Sequence, residues 1–310
     1  MSRVFATRLL VLSGVLYAAA SLAPPHYLDP LNRLTARMAG SSLGLFTGAP
    51  SVHGPLLTLS GFTVRIIPEC TPLFVTILYV SFIVSYPAPW KDRALGLLLG
   101  VPALVLVNLL RLVVVIFLGR HYPRLFEAGH VYLGQFLMVL TVCLMSLAWL
   151  PWIHESPGTR LHASFLIRFF ASSPLLFLTW IYLNKGYVLL GDRLISLVFS
   201  LFGYSLVMPR SHDLYYHTFN LALFGSLMLS APSFPGLRGI KVLAGGLLLL
   251  CSLHLLVRVG NVLATGFGMP PALGIANALH VFGMYALPLL LWFRFIQRGP
   301  AGAARVSTRI

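Results

Sequence analysis

The chain has 310 residues, of which 58% are hydrophobic and only 9% charged. A soluble domain carries about a quarter charged residues, so a water-solvated globular surface is excluded. With a mean hydropathy of +0.87, the sequence reads as an integral membrane protein. Its 22 basic residues outnumber its 7 acidic ones, but they are scattered in ones and twos between apolar runs. That scattering excludes a nucleic-acid surface and reports loop topology instead. So few acids also argue against proton-coupled transport, and three cysteines are too few for a disulfide framework.

Crossing the hydrocarbon core takes roughly 20 apolar residues as helix. Such runs lie at 5–23, 70–87, 93–118, 127–153, 164–184, 214–231, 241–262 and 275–293. They predict an all-α polytopic membrane protein with about eight transmembrane helices. The first run opens with Arg3 and Arg8 and reads as a retained anchor; Ala18-Ala19-Ala20 is a weak cleavage site. Basic residues are denser in the short segments that hold Lys91, Arg93, Arg160, Arg168, Arg238 and Lys241. The amino and carboxy termini are therefore expected on the cytoplasmic side. Between the first two runs, Leu31–Leu45 reads as helix, with Arg33 and Arg37 on its polar side. Alternation from Leu57 to Ile66 then predicts a strand or extended chain. Residues 185–213 predict an interfacial amphipathic helix followed by a turn at Pro209. The inner loop from Pro151 to His162 divides the chain into four-helix halves, 1–155 and 160–310.

Two arginines, Arg111 and Arg258, fall inside apolar runs. A charge at a helix centre costs roughly 2.5–3.5 kcal/mol on insertion scales, so each needs a reason. Arg111 lies seven residues before the end of its run, roughly 10 Å deep at 1.5 Å per residue. Snorkelling to the headgroups is one reading of it. Its neighbours offer another. Cys70 stands in Glu69-Cys70-Thr71-Pro72, where the outer segment enters the second run. Unpaired amides at a helix start and a nearby arginine are both expected to lower its thiol pKa. Cys143 and Cys251 sit in mid-run without charged neighbours and read as packing residues. His130 opens the fourth run, and His121 in Gly119-Arg120-His121 competes with it as the residue for proton transfer. Cys70, Arg111 and His130 are all expected on the outer side at similar depth, so a nucleophile, a cation and an acid/base can converge.

The set Glu69-Cys70-Thr71-Pro72, Asn108-x-x-Arg111 and His130-x-x-x-Gly134 resembles the exosortase/archaeosortase family over residues 10–153. The resemblance implies a polytopic Cys–Arg–His transpeptidase in the bacterial plasma (inner) membrane, with its site on the extracytoplasmic face. Its partners would be exported proteins whose carboxy terminus carries a PEP-CTERM-type motif, one helix and an Arg cluster, together with membrane lipid. Cys70 would form a thioacyl intermediate, Arg111 would support the oxyanion and His130 would move protons. Glu69, Asn108, His121 and Glu127 would bind substrate or support that set. No metal and no organic cofactor is implied; His154-Glu155-Ser156-Pro157-Gly158 breaks the His-Glu-x-x-His zinc pattern. Two departures stand out. Thr71-Pro72 follows the cysteine where many members have Ser-Gly, and Gly129 precedes the histidine where an acid is common.

Residues 164–298 echo the first half. Gly191-Asp192-Arg193-Leu194 parallels Leu31-Asn32-Arg33-Leu34, His254-Leu255-Leu256-Val257-Arg258 parallels Asn108-Leu109-Leu110-Arg111, and Ala278-Leu279-His280-Val281 parallels Ala128-Gly129-His130-Val131. Counting back from Arg258 as from Arg111 to Cys70 reaches His217, with no cysteine near it. The second half is expected to be a degenerate duplicate or an accessory domain. The competing functional reading is a non-enzymatic scaffold or permease in which Arg111 binds an anionic lipid or solute; eight helices in two similar halves suit a transporter.

Overall fold

The computed structural model describes residues 3–48, 50–153, 163–206, 208, 216–231, 234 and 236–297. The inner linker 154–162 and the expected turn at Pro209 lie outside the described residues. The chain forms two compact units, Ser2–Leu161 and His162–Ile310.

The first unit begins with α1 (Arg3–Leu22) and α2 (Pro25–Gly44). Pro24 and Pro25 break the helix between them; Pro25 lacks an N–H at a first-turn position where none is needed. The two helices meet at 93°. A small antiparallel sheet follows, β1 (Ser51–His53), β2 (Leu56–Leu59) and β3 (Phe62–Arg65), in the order β1-β2-β3. Ser60 and Gly61, both with φ above zero (48° and 87°), make the tight turn that pairs Leu59 with Phe62. Leu57 and Leu59 on one face are buried against Ala36, Ala39 and Leu43 of α2. The alternating run thus forms two strands of one hairpin.

A 3-10 turn (Pro68–Cys70) leads into α3 (Leu73–Ser85), then α4 (Trp90–His121) and α5 (Pro123–Val131). A π-helical turn (Tyr132–Leu137) joins α5 to α6 (Met138–Ile153). The Tyr17 hydroxyl donates to the Phe74 carbonyl at 2.7 Å, tying α1 to α3, and the Tyr79 hydroxyl donates to the Gly96 carbonyl at 3.1 Å, tying α3 to α4. Along α4, Gly100, Leu104, Asn108, Arg111, Leu112 and Val115 are buried. Leu106 and Leu110 on the opposite face are 68% and 62% exposed, as lipid-facing residues should be.

The second unit holds α7 (Ala163–Leu201), a 3-10 turn (Tyr216–Phe219), α8 (Asn220–Ser230) and α9 (Leu237–Gly266). Then come α10 (Pro270–Val281), a π-helical turn (Phe282–Ala286) and α11 (Leu287–Gln297). Here one expectation is corrected. Residues 185–201 are no separate interfacial helix but the second half of α7. Asp192 of that stretch is buried and paired with Arg258 of α9 through two hydrogen bonds of 2.7 and 3.0 Å.

Each of the eight apolar runs contains a helix, though in the run 70–87 it covers only Leu73–Ser85. Four helices are long and apolar enough to cross a membrane, up to six if each bent pair is one span. The shorter apolar helices, α3 and α8, have 13 and 11 residues and reach only about 20 and 16 Å. The protein is therefore an overwhelmingly helical, multi-pass membrane protein.

Candidate active site

The candidate residues all belong to the first unit. Cys70 closes the 3-10 turn, where Pro68 at the first position fixes φ and Pro72 prevents the turn from running into α3 as one helix. The Thr71 hydroxyl donates to the Pro68 carbonyl at 2.6 Å and accepts from the Leu73 amide at 3.3 Å. This local clamp sets the direction of the turn. From α4, Asn108 donates Nδ2–H to the Cys70 carbonyl at 3.0 Å, so the turn is also held from across the unit.

Arg111 lies three residues beyond Asn108, on the same face of α4, and ten residues before the helix ends at His121. Asn108 is 1% exposed and Arg111 4%. Arg111 Nε and Nη2, and Asn108 Oδ1, have no hydrogen-bond partner among the described residues. An unpaired buried donor costs about 1–3 kcal/mol, so these contacts alone give no stabilising reason for a buried arginine here. Snorkelling is also inconsistent with its burial.

His130 is half-buried near the end of α5, with its ring stacked on Phe126 at 5.9 Å. The wider turn that follows brings the Gly134 backbone against the guanidinium: a Cβ there would lie 3.5 Å from Arg111 Nη1 and 3.7 Å from Cζ. The spacing His130-x-x-x-Gly134 thus seats one helical turn beside Arg111. Arg111 lies within electrostatic range of both Cys70 and His130. Together the three offer a sulfur nucleophile, a fixed cation and a proton carrier, the set that acyl transfer requires.

The remaining candidates divide. Glu69 adjoins Cys70 and acts on it electrostatically. His121 sits exposed at the end of α4, its Nδ1 2.9 Å from the Phe117 carbonyl and its ring against Phe117. Glu127 is exposed on α5. At Gly129, a Cβ would come within 2.5 Å of Leu118 Cδ2, which explains why no acidic side chain precedes His130 in this chain. Among the described residues, no group of three or more His, Cys, Asp or Glu side chains could hold a metal ion.

Two further points were not legible in the sequence. Asn32, 6% exposed with Oδ1 unpartnered among the described residues, stands on the α2 face that also carries Ala36, Ala39 and Leu43. That face joins Cys70, Leu112 and Ile116 in one buried cluster. The small residues at i+4 and i+7 were the available signal, masked by the neighbouring Arg33 and Arg37.

The second point is a correction. Burial raises the Cys70 thiol above its ordinary value, although a backbone hydrogen bond with Ile67 and the charge of Arg111 pull the other way and Glu69 adds to the rise. The expected low pKa does not hold at rest, because Cys70 is only 6% exposed and desolvation outweighs Arg111. The thiol is therefore protonated at neutral pH. Alkylation of Cys70 by iodoacetamide in the resting protein is expected to run at least about tenfold slower than for free cysteine at pH 7. Its rate should keep rising past pH 9. Labelling that is already complete by pH 6 would contradict this environment.

Residues 3–150 match the family model of the transmembrane exosortases. No curated protein and no solved structure matches the chain.

Proposed function

Through residues 3–150 the chain belongs to the transmembrane exosortase family, and from that premise we propose that it is a membrane cysteine transpeptidase acting on exported proteins. Its substrates carry a carboxy-terminal sorting signal of the PEP-CTERM type: a short motif, one helix and an Arg cluster. The supporting observation is Arg111, a buried guanidinium with two unpaired donors, grouped with Cys70 and His130.

The reaction runs in two halves. Substrate entry brings the scissile carbonyl to Cys70, whose proton passes to His130 as sulfur attacks the carbonyl carbon. Arg111 stabilises the oxyanion that forms. As the carbon–nitrogen bond breaks, His130 gives the proton to the leaving amine, and the substrate remains as a thioester on Cys70. An acceptor amine or water then attacks the thioester and loses its proton to His130. The carbon–sulfur bond breaks, and the proton returns to the thiol. No metal and no organic cofactor takes part.

Exported substrates require the cluster on the extracytoplasmic face of the plasma membrane. Basic-residue density supports that orientation, with eight membrane crossings and both termini in the cytoplasm. Residues 160–310 form a second membrane domain whose cysteine, Cys251, lies within α9 and not at a turn like that of Cys70.

Hydroxylamine tests the thioacyl step directly. Membranes containing the protein and a signal-bearing substrate should, on adding hydroxylamine, release the substrate with a carboxy-terminal hydroxamate. Cleavage that yields only a free carboxylate at saturating hydroxylamine would argue against a thioester.

A further inference from the structure

The two units repeat one pattern. Buried Phe5, Leu9, Ser13 and Tyr17 of α1 have buried counterparts in Phe165, Phe169, Ser173 and Phe177 of α7, each 160 positions on. A Cβ at Gly100 of α4 would run into the Tyr79 ring of α3; one at Gly246 of α9 would run into the Phe224 ring of α8. Leu104 and Asn108 are buried below Gly100 as Leu250 and His254 are below Gly246. Both long helices are followed by a helix that starts on proline, ends in His-Val and passes into a π-helical turn. Arg258 lies four residues beyond His254 and Arg111 three beyond Asn108, so the two arginines fall near each other in this register but one position out of step.

The units differ at the arginine. Arg258 is held by Asp192 through Nε at 2.7 Å and Nη2 at 3.0 Å. The same two atoms of Arg111 are unpaired among the described residues. Stepping back 160 positions from Asp192 reaches Asn32, which stands on α2, past the 93° bend that separates it from α1, where α7 continues as one helix. Both residues are 6% exposed. Asn32 stands on the α2 face that packs with Cys70 and with Leu112, the neighbour of Arg111. Asparagine and aspartate have nearly the same shape but differ in charge and in the amide's N–H donors, which a carboxylate lacks.

We infer that the neutrality of Asn32 is a requirement of the reaction: along the chain it matches the second unit's Asp192, and, buried on the α2 face that packs with Cys70 and Leu112, it leaves the Arg111 charge uncommitted for the oxyanion. The inference rests on the acyl-transfer reading above. In the second unit the equivalent charge is cancelled by Asp192, which silences that arginine independently of the missing match to Cys70.

The test compares Asn32→Asp with Asn32→Ala in the full-length protein in membranes, using a signal-bearing substrate. Asn32→Asp is expected to lower kcat/KM by about 100-fold, the loss typical of an oxyanion donor. Asn32→Ala, smaller but neutral, should stay within about tenfold of the wild type. The pH midpoint of Cys70 alkylation should move up in Asn32→Asp and stay in Asn32→Ala, because only the carboxylate cancels the pull of Arg111. Asn32→Asp should also accumulate normally and melt no lower than the wild type, since a buried guanidinium gains a counter-charge. Three outcomes overturn the inference: Asn32→Asp within about threefold of the wild type, Asn32→Ala falling as far as Asn32→Asp, or Asn32→Asp failing to accumulate. Cys70→Ala separates this from the enzyme reading. If Cys70→Ala is dead and Asn32→Asp active, only the role of Asn32 fails; if Cys70→Ala is active, the reaction itself was misassigned.

Discussion

Replacing Cys70 by Ala removes sorting-signal processing by at least about 10,000-fold, while the protein still reaches the membrane at wild-type levels. The magnitude follows from losing the nucleophile of a unit whose members act in one transition state. The stability effect is small because the 3-10 turn is held by groups other than the sulfur. Thr71 clamps it locally and Asn108 holds it through the Cys70 carbonyl, which every substitution retains. Cys70→Ser should be nearly as inactive, since a buried hydroxyl is a poorer nucleophile than a thiol. The measurement is release of the carboxy-terminal segment from an exported substrate, scored against membrane abundance. A permease or scaffold that uses Arg111 to hold an anion has no need of the sulfur and would survive both changes. Processing at the wild-type rate in Cys70→Ala would sink the enzyme reading.

Arg111→Lys loses about 100-fold or more in kcat, even though the charge is kept. The guanidinium presents Nε and Nη2 as two unpaired donors in a fixed plane, which can span sulfur and oxyanion together. An ammonium on a flexible stem is a single point donor. Arg111→Ala combined with His130→Ala should be little worse than the worse single change, because the two act on one transition state. A multiplicative double loss would show that they serve separate steps. Stability should move the other way. Each unpaired buried donor costs about 1–3 kcal/mol, so Arg111→Met, which fills much of the volume without the charge, should unfold no earlier than the wild type. An inactive protein of equal or greater stability marks a residue kept for chemistry. A sharp fall in the melting temperature of Arg111→Met would instead make Arg111 a structural group.

The sequence by itself determined the class of this protein. Low charge and long apolar runs leave only a helical membrane protein. The alternation from Leu57 to Ile66 also announces extended chain, since strand periodicity is local; its folding into a hairpin at Ser60-Gly61 came only from the structure. The cluster was named from Cys70, Arg111 and His130 because such residues are conspicuous in an apolar background. Tertiary structure decided which face of each helix turns inward. Lipid and protein interior are equally apolar, so the pattern along α4 does not distinguish buried Leu104 and Leu112 from lipid-facing Leu106 and Leu110. Tertiary structure also decided the state of each polar group, because that depends on partners far along the chain. Asp192 reads as a solvated residue until Arg258 is found 66 positions away. Asn32 reads as part of a polar helix side until α2 turns it onto the face shared with Cys70. Cys70 itself reads as an activated thiol until the turn buries it, and desolvation, a property of the packed unit, then outweighs the charge that the sequence had set beside it.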